Sequence, residues 1–188
     1  GFISYANCGL PYYIGGTIED EGDLTLQTPE SFYKRFRVKM NVRHEVTALH
    51  PESKMVTVKN IENGTVFTET YDKLILSPGA KPIKPNFEGI DSDKIFTLRT
   101  VEDTLKIKKF INEKYPKSAV VVGGGFIGIE VAENLRELGI DVTLVEAADQ
   151  FMAPFDSDMA SFIHAELRKN GVNLMLGRFV EGFADTDD

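Results

Sequence analysis

The fold is decided by Ala119-Val120-Val121-Val122-Gly123-Gly124-Gly125-Phe126-Ile127-Gly128 and by the run Val142-Thr143-Leu144-Val145-Glu146 downstream of it. The unbroken apolar run Ala119 to Val122 predicts a parallel strand buried on both faces. Phe126 to Leu138 carries a helical pattern that stops at Gly139, and Val142 to Val145 reads as a second strand. Asp156 or Ser157 can cap a further helix, with Met159, Phe162, Ile163 and Leu167 near one face. Gly171 ends that helix, and Val172 to Leu176 gives a third strand. Strand and helix alternate, which predicts an α/β, Rossmann-type, three-layer nucleotide-binding fold.

Gly123, Gly125 and Gly128 form a G-x-G-x-x-G pattern set between a strand and a helix. In such a turn Gly123 permits the tight bend, Gly125 lets a pyrophosphate approach the backbone, and Gly128 lets helix and strand pack closely. The helix N-terminus then offers unpaired N–H groups to the phosphates. Glu146 stands 23 residues after Gly123, near the spacing of about 20 expected of a ribose-binding acid. Its carboxylate would repel a 2′-phosphate, and no Arg or Lys follows among Ala147, Ala148, Asp149 and Gln150. NADH is therefore expected over NADPH. The same unit can in principle take FAD, and a glycine-rich turn that binds nothing is the plain alternative.

Working outward, Lys81 to Pro85 holds two prolines and reads as a connector, and Thr100 to Ile111 looks helical. From Asn41 to Ile75 the apolar period changes to two. Val42, Val46 and Leu49 fall in one strand, Met55 to Lys59 in a second, Thr65 to Thr70 in a third, and Asn63-Gly64 supplies a turn. This is a small antiparallel meander. Leu74-Ile75-Leu76 reads as a short buried strand ahead of Ser77-Pro78-Gly79-Ala80. Thr28 caps a helix that opens with Pro29 and Glu30 and runs to about Phe36.

The chain has one cysteine, Cys8, within Ser4-Tyr5-Ala6-Asn7-Cys8-Gly9-Leu10-Pro11-Tyr12-Tyr13-Ile14-Gly15-Gly16. A single thiol closes no internal disulfide, so if reactive it cycles with a small thiol partner or through an oxidised sulfur state. Gly9 allows close approach of another group, and Asn7 can hydrogen-bond beside the sulfur. A helix N-terminus at this point would favour the thiolate. The alternative is a small buried apolar residue. Tyr12 and Tyr13 either line a pocket or pack. Lys34, Arg35 and Arg37 either meet coenzyme phosphates or form a solvated helix end.

Over 188 residues the formal charge is −8 and 42% of residues are hydrophobic. A sizeable core can form, and a nucleic-acid partner, which needs a basic face, is not expected. No apolar run reaches the length of about 18 residues needed to span a bilayer, and one cysteine points to a reducing cytoplasm. His44, His50 and His164 lack ligand spacing, so no metal site is expected.

Taken together, the Cys8 segment, Thr28-Pro29-Glu30, Tyr71 to Ala80, Phe96-Thr97-Leu98-Arg99 and the Gly123 fingerprint resemble the coenzyme A-disulfide reductases. These are single-cysteine members of the FAD- and pyridine-nucleotide-dependent disulfide reductases. The likeness covers essentially the whole chain, and the cysteine segment is its most specific part. It implies electron flow from NADH through FAD to a mixed disulfide of Cys8 with coenzyme A. It implies coenzyme A contacts at Ser4 and Asn7, and an FAD-closing turn at Ser77 and Gly79. Glu130 would lie near the flavin edge or be a plain helix residue. The resemblance also implies a homodimer for the full-length enzyme. That family carries an FAD-binding βαβ unit before the cysteine and further domains after the nucleotide fingerprint, so this chain is expected to be a piece of a longer enzyme, binding FAD poorly by itself. Residues 1–94 would be the remainder of an FAD domain and 95–188 most of an NAD domain. Rival expectations are an NADH oxidase or peroxidase cycling through a cysteine sulfenic acid, a non-enzymatic NAD-binding redox sensor, and a module that merely binds NAD.

Overall fold

A computed structural model describes residues 2–185. Of the terminal run Ala184 to Asp188, Thr186, Asp187 and Asp188 lie outside the described residues. In chain order the elements are β1 (Ser4–Tyr5), α1 (Leu10–Gly15), β2 (Thr25–Gln27), α2 (Pro29–Phe36), β3 (His44–His50), β4 (Met55–Asn60) and β5 (Val66–Thr70). They continue with α3 (Val101–Lys114), β6 (Ser118–Val122), α4 (Phe126–Glu137), β7 (Asp141–Val145), α5 (Ser157–Lys169) and β8 (Asn173–Met175). The chain divides into two compact units. One comprises residues 1–5 and 25–80, the other 6–24 and 81–188.

In the first unit β1 pairs antiparallel with β2, and β3-β4-β5 form an antiparallel meander. Gly64 takes φ 75° in the β4–β5 turn, where the Asn63 side chain accepts the Thr65 N–H. Val56 and Val58 of β4 are its buried pair. Thr28 caps α2 by accepting the Ser31 N–H, while Ser31 Oγ accepts the Thr28 N–H. Leu74-Ile75-Leu76 corrects the sequence reading. It forms no strand, and Ile75 is 88% exposed. A strand needs a neighbour to accept its backbone groups, and none lies beside this run among the described residues.

The second unit is built on the parallel sheet β6-β7-β8. This is the α/β architecture of the Rossmann type. Ala119 and Val121 of β6 pack toward Ala132 and Leu135 of α4 and Val142 and Leu144 of β7, and Phe151, Leu167 and Val172 complete that core. The other side of β6 is open. Val120 and Val122 are exposed, so the strand is not covered on both faces as its apolar run predicts. In α5 the buried residues are Ala160 and Leu167, while Met159 and Phe162 face solvent. Ile163 and Leu167 of the expected face do pack against the core, so of that face only Met159 and Phe162 fall outside the buried stripe.

Candidate functional site

The fingerprint turn has the backbone its glycines require. Gly123 takes φ 105°, closed to most L side chains. Gly123 N–H donates to the Val145 carbonyl at 2.9 Å, joining the turn to β7. A Cβ on Gly128 would overlap the Gly123 carbonyl oxygen, so only glycine lets α4 start this close to the strand. At Gly125, the N-cap of α4, a Cβ would meet nothing within 4 Å. The open space there is the side from which a phosphate can reach the helix N–H groups.

Glu146 closes the turn from the end of β7. Its Oε2 accepts the Gly124 N–H at 2.7 Å and its Oε1 accepts the Ala148 N–H at 2.9 Å. Partial burial pushes the carboxyl upward. The N–H groups of Ala148, Gly124 and Ala147 outweigh that and hold it below the ordinary value of 4.5. The carboxylate is therefore ionised at neutral pH, with lone pairs left for hydroxyl donors.

Sequence reasoning missed what lies behind this turn. The Phe151 ring packs against Gly124, and Met152, at φ 54°, donates its N–H to the Gly124 carbonyl at 2.8 Å. Phe151 N–H in turn donates to His164 Nε2 at 3.0 Å. His164 thus accepts at Nε2 and is neutral. Burial, with Arg168 nearby, lowers its pKa from the ordinary 6.5. A β7–α5 loop rich in apolar residues was the only signal available.

Cys8 lies in a short 3-10 turn, Asn7–Gly9, directly before α1, and is exposed. It is not a buried packing residue. Leu10 and Ile14 anchor α1, Ile14 joining the core beside Ala132 and Leu135. A Cβ on Gly9 would crowd Ile18 and Ala6, and one on Gly15 would overlap Asn134 of α4. Tyr12 is half-buried, and Glu130 and Glu133 of α4 raise its hydroxyl pKa, with burial adding to the effect. Asn7, Leu10 and Pro11 share one shallow cleft with Leu98 and Arg99 and with Ile127 and Glu130 of α4. The helix that opens at the fingerprint therefore reaches the cysteine turn with its first two turns. Arg99 entered the sequence reading only within a motif. The structure puts its guanidinium 3.0 Å from Asn7 Oδ1.

The remaining predicted site residues belong to the first unit. Ser4 pairs with Gln27 across β1–β2. Ser77 and Gly79 lie in an exposed irregular segment, Gly79 at φ 74°. Arg35 and Arg37 lie over the Phe36 and Tyr33 rings at 5.0 and 5.9 Å. Among the described residues no cluster of His, Cys, Asp or Glu can hold a metal ion, and no helix is long and apolar enough to cross a membrane.

Comparison with known proteins places this geometry. A coenzyme A disulfide reductase of Staphylococcus haemolyticus is 40% identical over 183 residues, which is 97% of this chain and 41% of that protein. The chain thus spans about two fifths of the length of that relative. The reduced CoADR-RHD of Bacillus anthracis superposes with a TM-score of 0.93 at 49% identity, covering 96% of this chain and 33% of that one. The water-forming NADH oxidase of Lactobacillus brevis, solved bound to NADH, gives 0.87 at 37% identity, covering 97% and 40%. The profile of the pyridine nucleotide-disulphide oxidoreductases matches residues 1–188, and the chain belongs to that family.

Proposed function

We propose that the full-length protein is a flavin-dependent oxidoreductase that passes electrons from NADH, through FAD, to a coenzyme A disulfide or a related persulfide or polysulfide by way of Cys8. The observation that carries this reading is the cleft shared by Asn7, beside the exposed Cys8, and by Ile127 and Glu130 on the fingerprint helix. A nucleotide held at the N-terminus of that helix would lie on the element whose first two turns line the cleft beside the thiol.

The chain's own residues divide the work. The turn at Gly123, Gly125 and Gly128 cradles the pyrophosphate of NADH, and the Glu146 carboxylate accepts the ribose hydroxyls. Its charge disfavours the 2′-phosphate of NADPH. The exposed turn at Ser77 and Gly79 closes on FAD, so residues 1–94 serve the flavin and 95–188 the nicotinamide. When bound, NADH and FAD would together supply a pair of electrons. Cys8 attacks the substrate disulfide as a thiolate: a Cys8–sulfur bond forms, the substrate S–S bond breaks, and one coenzyme A thiolate leaves. Two electrons and a proton then cleave the mixed disulfide, restoring the Cys8 thiolate and freeing the second thiol. Asn7, beside the thiol, holds the coenzyme A portion.

The test is turnover of NADH by the full-length protein with coenzyme A disulfide or with hydrogen peroxide as acceptor. Consumption with the disulfide is expected, and Cys8→Ser should lower it by at least about 10³-fold. Mass spectrometry should find coenzyme A attached at Cys8. Turnover with peroxide alone would favour a sulfenic acid cycle, the reading that likeness to the NADH oxidase supports. Inertness toward both, and toward dioxygen, would leave a nucleotide-binding sensor.

A further inference from the structure

We propose that Arg99 is a positioning residue for the redox cysteine, acting through Asn7. This rests on the reading of Cys8 above. Arg99 immediately precedes the N-cap of α3, where its backbone is pinned. Asp103 Oδ2 accepts the N–H of Arg99 at 3.1 Å and that of Thr100 at 3.0 Å, and Thr100 Oγ1 accepts the Asp103 N–H. From this fixed base Arg99 Nη1 donates to Asn7 Oδ1 across 92 positions of sequence. Nine residues further along, Lys108 donates from Nζ to the Ile14 carbonyl at 2.8 Å, at the other end of α1. α3 and the residue ahead of its N-cap therefore grip the cysteine segment at two points, just before the thiol and at the end of the helix that follows it.

The chemistry gives the first grip its meaning. A guanidinium only donates, so it can meet the carbonyl end of an amide and never its NH₂ end. Arg99 thereby fixes which way the Asn7 amide faces. With Oδ1 committed to Arg99, Nδ2 becomes the end offered to a neighbouring anion: the Cys8 thiolate, or the thiolate leaving the substrate. Without Arg99 the amide is free to turn its oxygen toward the sulfur, where it repels the charge that the reaction develops.

The experiment reads Cys8 alkylation by iodoacetamide in the full-length protein, located by peptide mass spectrometry. It needs no coenzyme A disulfide, so it stands apart from the substrate assignment. Arg99→Met, which has no donor, should slow alkylation about tenfold at pH 7, the scale of one charge-assisted hydrogen bond. Arg99→Lys, which still donates to Oδ1, should keep most of the wild-type rate. Asn7→Ala should also be slow, and adding Arg99→Met to it should change nothing further. Equal rates in the wild type and Arg99→Met would overturn the proposal. So would an undiminished effect of Arg99→Met in the Asn7→Ala background. If Arg99→Met fails to fold, Arg99→Leu, which also lacks a donor, is read by the same criterion.

Discussion

At the scale of single residues, the Glu146 carboxylate holds the fingerprint turn in shape and, in the proposed reading, also meets the ribose. In the free protein it satisfies the N–H groups of Gly124 and Ala148. An ionised carboxylate has about four acceptor positions, so those bonds leave room for ribose hydroxyls. Glu146→Ala would remove the side-chain bonds that hold the turn and the proposed ribose partner together. We expect NADH binding to weaken at least about tenfold, since hydrogen bonds to charged groups contribute roughly 1.5–3 kcal/mol. Unchanged affinity in an equilibrium titration would remove the ribose assignment. The residue was legible because its spacing from Gly123 is a property of the strand–helix–strand unit. Phe151 and His164 were not, because they reach the turn through a loop whose path no local pattern encodes.

Elements repeat the same division. The helices α2 and α4 and the meander follow from caps, turn residues and period, all of which act within a few positions. The strand expected at Leu74–Leu76, and half of the face expected of α5, failed because hydrophobicity gives only a capacity for burial; Ile163 and Leu167 do pack into the core. What realises it is a partner elsewhere in the chain, and Ile75, Met159 and Phe162 stay in solvent. Within the fingerprint the two kinds of information separate by mutation. Gly128→Ala drives a Cβ into the Gly123 carbonyl, and overpacking of this kind costs roughly 1–3 kcal/mol. Gly125→Ala meets no atom within 4 Å, so the fold should lose no more than about 1 kcal/mol, the scale of a helix cap. It should nonetheless bind NADH poorly if the methyl blocks the proposed pyrophosphate approach. Thermal unfolding alongside NADH titration checks both; a Gly125→Ala protein with normal affinity would move the phosphate site elsewhere.

On the scale of the whole molecule, these contacts make stability depend on acidity in two windows. His164 is held neutral, with its native pKa below the ordinary 6.5. The unfolded chain therefore takes up a proton first as pH falls, and stability declines below about pH 6.5 until the native pKa is passed. Glu146 repeats this lower down, its contribution complete above 4.5 and lost beneath it. Melting temperatures between pH 7.5 and 5.0 should fall, and His164→Gln should flatten that slope by removing the titrating ring. A variant as acid-sensitive as the parent would place the proton uptake elsewhere. One further property comes from β6, which has a hydrogen-bonding neighbour only in β7 among the described residues and leaves Val120 and Val122 bare. Such a rim is a template for whatever extended chain arrives next. In a crowded tube this polypeptide should be sticky, prone to clump on concentrating.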